Sequence, residues 1–176
     1  MSGRGSKDLV VDACVAARSG GDEAVYPASK YCRDFLLGLK DFGHGMVLNP
    51  SLKQEWNNHQ SRFARMWRAS MVATKRVRFV EDLLIAQLRD KIAKIAQKEG
   101  DKDAMLKDCH LIEAASQADR SVISVDERAR TLFVSVASEL HAVRQTLWVN
   151  PEIPGENPGD WLRSGAQYET ERLLGY

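Results

Sequence analysis

No stretch of this chain approaches the roughly 20 apolar residues of a membrane-spanning helix. The opening MSGRGSK lacks the apolar core of a signal peptide and reads as a mobile tail, residues 1–7, ahead of a single domain, residues 8–176. Cysteine is scarce. Cys14, Cys32 and Cys109 are an odd set without CxxC spacing, each in an apolar or helical stretch, as expected of buried thiols in a reducing cytoplasm. A surplus of either charge is also missing, with 25 Lys and Arg against 24 Asp and Glu. Near-neutrality neither supports nor excludes nucleic-acid binding, which depends on where the charges sit. No internal repeat is detectable.

What remains is an ordinary globular composition, 44% apolar and 28% charged, in 176 residues, enough for one domain with a full core. DLVVDA (residues 8–13) is a short apolar run ending in an acid, the pattern of a strand buried on both faces. SGGDEA follows as a loop. Tyr31, Phe35, Leu36 and Leu39 recur at helical spacing after Pro27. Met46–Leu48 forms a second strand, and Asn49-Pro50 caps a helix whose stripe includes Leu52, Trp56, Phe63 and Met66. Val80, Leu83, Leu84, Leu88, Ile92 and Ile95 then suggest a long helix closed by Gly100. A helix from about Asp108 to Ala118, a strand Ser121–Val125 and a helix from about Glu127 to Glu139 come next. The strand LWVN precedes a breaker-rich PEIPGENPG, after which Asn157-Pro158 opens a short helix holding Trp161 and Leu162. Strands alternating with amphipathic helices imply a three-layer α/β/α sandwich with a small parallel sheet, carrying extended helices over about 62–100.

In such a sheet, ligands bind beyond the carboxyl ends of the strands. Asp12 ends the first strand, Glu55 lies in the helix after the second, and Asp126 follows SVISV directly. Asp108 belongs to the helix leading into that strand. Taken singly, an acid in such a place is an N-cap or a solvated charge, and Asp108 and Asp126 both suit caps. As a set, crowded carboxylates repel one another, and a divalent cation relieves them. Oxygen ligands without a matching set of His or Cys favour Mg²⁺ or Mn²⁺, a pairing suited to phosphoryl chemistry. Ser124 shares a strand face with Asp126 and is placed to support a ligand carboxylate.

VVDACV, LNPSLKQEW, KDCHLIEAA and SVISVDERAR, in this order, resemble the PIN-domain family of metal-dependent nucleases, over about residues 8–151. Its toxin-type ribonucleases from toxin–antitoxin pairs are the nearest kind. The acid-xHLxxAA helix followed by a strand ending in [ST]-x-D carries most of the resemblance. The resemblance implies catalytic metal ligands at Asp12, Glu55, Asp108 and Asp126, with Ser124 at the family's hydroxyl position. It also implies Mg²⁺ or Mn²⁺ in the cleft and endonucleolytic cleavage of RNA to a 5′-phosphate and a 3′-hydroxyl. An inhibitory antitoxin-like partner and a homodimer belong to the same expectation. Glu55, in a loose local pattern beside Trp56, is the weakest match.

The stretch FARMWRASMVATKRVRF interleaves Arg62, Arg65, Arg68, Lys75, Arg76 and Arg78 with Trp67 and Phe79. These are candidate backbone contacts and base-stacking groups, against the plainer reading of a solvated helix face with core aromatics. His110, close to Asp108, is either a packing residue or a support for the acids. His44 and His59 have no partner at metal-ligand spacing, Trp148 and Trp161 read as core or interface, and Cys109 as packing. Two rival functions stay open: a non-catalytic PIN-like RNA-binding or scaffold module, and a DNA-directed nuclease.

Overall fold

The computed structural model describes residues 5–20, 27–96 and 98–176. The first four residues of the expected tail, and the expected loop from Gly21 to Ala24, lie outside them. Five strands, β1 (Asp8–Val11), β2 (Gly45–Leu48), β3 (Val77–Phe79), β4 (Ser121–Ile123) and β5 (Leu147–Val149), form one sheet in the order β3-β2-β1-β4-β5. All four pairings are parallel. Residues 9–11, β2, β4 and β5 are buried throughout, as strands covered on both faces must be.

The helices are α1 (Ala13–Arg18), α2 (Ala28–Asp41), α3 (Pro50–His59), α4 (Arg62–Ala73), α5 (Ala86–Ile95), α6 (Glu99–Ser116), α7 (Glu127–Val136), α8 (His141–Arg144) and α9 (Pro158–Arg163). Their contacts fall into two sets. One joins α1, α2, α4 and α9; the other joins α5, α6, α7 and α8; α3 touches both α1 and α6. The architecture is thus α/β, consistent with the expected three-layer sandwich. Core residues from both sets pack on the strands, with Trp56 stacked on Trp67 at 6.0 Å and Phe133 against Trp148 at 6.1 Å.

Five expectations change. The stripe from Leu52 to Met66 is two helices, because Ser61 begins a new one: its hydroxyl caps the Ala64 N–H at 3.1 Å while its own N–H donates to Ala16 at 3.2 Å. Met66 is exposed accordingly. The region 62–100 carries helices α4 and α5 as expected, but the stripe from Val80 is not helical at its start: the edge strand β3 precedes it, and 80–85 is irregular, with Leu83 and Leu84 exposed. Gly100 lies within α6 rather than ending a helix, and Asp108 sits deep in that 18-residue helix rather than at its cap. Lastly, Ser6 and Lys7 are not part of a free tail. The Ser6 hydroxyl donates to Gly43, the Lys7 N–H donates to His44 Nδ1, and the Lys7 carbonyl receives the Gly45 N–H.

A candidate metal centre at the sheet switch point

The chain runs outward from β1 through β2 to β3, then returns across the sheet to β4 on the other side of β1. The crevice between the carboxyl ends of β1 and β4 is therefore a topological switch point, where open parallel sheets bind ligands. Asp12 and Ser124 are the residues that leave these two strands.

The Asp12 N–H donates to Ile123 at 2.9 Å, so its backbone is still fixed to β4 as the chain turns into α1. Its carboxylate is held from three directions. The Cys14 N–H donates to Oδ1 at 3.3 Å, the Cys14 thiol to Oδ2 at 3.0 Å, and the Ser124 hydroxyl to Oδ2 at 2.7 Å. Ser124 is fully buried, and its Oγ also accepts the Asp126 N–H at 3.1 Å. One hydroxyl thus ties the first acid to the last. Asp126 is exposed, and its Oδ1 caps α7 by accepting the Ala129 N–H at 2.8 Å. Of the two caps expected, this one is real.

Asp108 approaches the same crevice from α6. It is half-buried and has no hydrogen-bond donor or ion-pair partner among the described residues. Burial, followed by the neighbouring Asp12 charge and more weakly by Asp126, raises its pKa from 3.8 to about 6, against the pull of Lys107 and His110. Nor does any lysine or arginine among the described residues form an ion pair with Asp12 or Asp126. Burial, with Asp12 close by, also pushes the Cys14 thiol far up, so it stays a proton donor to Asp12.

Glu55 is placed differently. Its Oε2 lies 3.2 Å from Nε2 of His110, an ion-pair distance, and the His110 Nδ1–H donates to the Lys107 carbonyl at 2.9 Å. Desolvation opposes charge on this ring, but Glu55, the Lys107 carbonyl and Asp108 together outweigh it and raise its pKa. Among the described residues, no three His, Cys, Asp or Glu side chains gather into a metal-binding group. Asp12, Asp126 and Glu55 each turn an oxygen to a protein group instead. The donor chemistry still fits a hard divalent cation: three carboxylates that repel one another, a buried hydroxyl, and, among the described residues, no lysine or arginine in an ion pair with any of the three.

The basic residues do not gather at this edge. α4 begins beside the end of α1, where Arg62 and Arg65 are exposed without ion pairs among the described residues, and runs toward the start of β3. Lys75 and Arg76 therefore lie at the edge where strands begin, opposite the acids, and Arg76 donates to the Lys40 carbonyl. Arg78 faces Asp8 at 3.6 Å. Arg68 donates to Asn57 and lies over Trp56. Trp67 is buried, with its indole N–H on the Leu36 carbonyl, and cannot stack a base; Phe79 is exposed beneath Lys53. Sequence reasoning missed Cys14 as a donor to Asp12. Its signal was its place two residues beyond a helix-capping acid.

Comparison with protein-family models, with curated proteins and with solved structures finds no match to this chain.

Proposed function

We propose that the chain is a divalent-metal-dependent endonuclease of the PIN class, acting on RNA. The observation that carries this reading is Asp108: a half-buried carboxylate with no hydrogen bond or ion pair among the described residues, held near two other carboxylates at a switch point. A group so placed costs stability unless a cation joins it. Asp12, Asp108 and Asp126 would hold Mg²⁺ or Mn²⁺, with Glu55 as a further ligand or water-orienting group. Bound there, such an ion supplies Lewis acidity, making water nucleophilic near neutral pH and balancing charge on the phosphodiester. Ser124 and Cys14 keep the Asp12 carboxylate aimed. Water attacks phosphorus and the P–O3′ bond breaks, leaving a 5′-phosphate and a 3′-hydroxyl. An antitoxin-like protein seated over the acidic edge, and a homodimer, complete the proposal.

A second reading, a non-catalytic RNA-binding or scaffold module, is favoured by one observation: three of the four acids have protein partners. Labelled single-stranded RNA and DNA, incubated in Mn²⁺, Mg²⁺ and EDTA beside Asp12→Asn and Asp126→Asn variants, separate the two. The expected result is metal-dependent cutting, stronger on RNA and lost in both variants. Equal trace cutting by wild type and variants would remove the nuclease reading, and stronger cutting of DNA would change its substrate.

A further inference from the structure

The helices that carry Glu55 and Asp108 are fastened together at a third residue. The His110 side chain is 5% exposed, and its ring is fixed by the Nδ1–H bond to Lys107, which leaves only Nε2 to address Glu55. Nε2 lies 3.2 Å from Glu55 Oε2, outside good hydrogen-bond alignment, and has no other partner among the described residues. The His110 carbonyl is held as well. Asn49, 1% exposed, donates to it from Nδ2 at 3.2 Å while its Oδ1 accepts the Leu52 N–H at 2.8 Å, capping α3. Asn49, His110 and Glu55 therefore close a loop from the start of α3 to the middle of α6 and back into α3.

We infer that His110, set by Asn49, is the positioning residue for Glu55, holding that carboxylate on the flank of α3 that faces α6. This rests on the nuclease reading for its consequence, since the group being aimed is the fourth acid of the centre. A flexible glutamate at 30% side-chain exposure otherwise samples many rotamers over solvent. Groups that orient a metal-binding side chain in this way are worth about 10–100-fold in metal affinity or activity.

The test uses two amides that divide the imidazole between them. His110→Asn keeps a donor near Nδ1, for the Lys107 carbonyl, and removes the one facing Glu55. His110→Gln places a donor near Nε2. In His110→Asn we expect Mn²⁺ affinity, measured by calorimetry, to weaken about tenfold and kcat to fall by a similar factor, with KM for RNA unchanged. His110→Gln should recover most of both losses. In metal-free wild type, the His110 Nε2 resonance should move on Glu55→Gln, as their contact requires. If His110→Asn binds Mn²⁺ and cleaves as wild type does, or if Nε2 ignores Glu55→Gln, the inference is overturned while the nuclease reading stands. If wild type neither binds Mn²⁺ nor cleaves, both fall together.

Discussion

Replacing Asp108 by asparagine should make the metal-free protein more stable at neutral pH. The Asp108 pKa is raised to about 6 in the fold, by burial first and by Asp12 and Asp126 after it, from an ordinary 3.8. Between these values the folded chain holds a proton that the unfolded chain has lost, so stability falls as pH rises through the interval. The carboxyl is tolerated below about pH 4 and penalised above about pH 6. Two pKa units correspond to about 3 kcal/mol, and partial exposure reduces this to roughly 1–2 kcal/mol. For a chain of this size that is about 2–8 °C in Tm. Wild type and Asp108→Asn would be compared by thermal unfolding in EDTA from pH 4 to pH 8.5. The variant's advantage should be absent at the acid end and full above pH 7. Mn²⁺ should then raise the wild-type Tm, by mass action on the folded state, and leave the variant nearly unmoved. A variant equally destabilised at every pH would refute the reasoning, because Asp108 would then be a structural group rather than a crowded charge.

Ser124→Ala removes the hydroxyl between Asp12 and Asp126. It should cost about 1–3 kcal/mol in urea unfolding and lower metal-dependent cleavage about tenfold; unchanged cleavage would deny the bridge a functional part. Glu113, 1% exposed, receives Nε and Nη2 of Arg89 at 2.8 and 3.0 Å and fixes α5 to α6. Glu113→Gln should cost about 1–3 kcal/mol and speed hydrogen exchange in α5 without changing α7. Burial pushes the Cys32 and Cys109 thiols up to about 12, so neither should alkylate at pH 8 until the protein is unfolded, as mass spectrometry would show.

The parts of this fold that were legible in sequence are those with a period or a punctuation mark. β1, β2, β4 and β5 are apolar runs, and the start of α3 follows from Asn49-Pro50. β3 escaped because it is a three-residue edge strand, VRF, largely exposed, with no hydrophobic face to betray it. The extension of α6 back to Glu99 escaped because Gly100 resembles a stop signal, whereas position 100 is an exposed helical turn with nothing near a Cβ. Asp12, Ser124 and Asp126 could be placed together from topology alone, since all follow adjacent strands. The engagement of Glu55 with His110 depends on how α3 lies against α6, which no local pattern encodes.

Asp12 and Ser124 touch across 112 residues of chain. At a synthesis rate of about 5–20 residues per second, roughly 6–22 s pass between the appearance of one and of the other on the ribosome. During that interval β1 is flanked by β2 alone, and the Asp12 carboxylate has Cys14 for company but no hydroxyl to lock it. Burial of β4 and capture of Asp12 are thus one event, late in the making of the molecule. A half-finished chain lacks both Ser124 and Asp126, so the acidic crevice is completed only by the last third of the polypeptide.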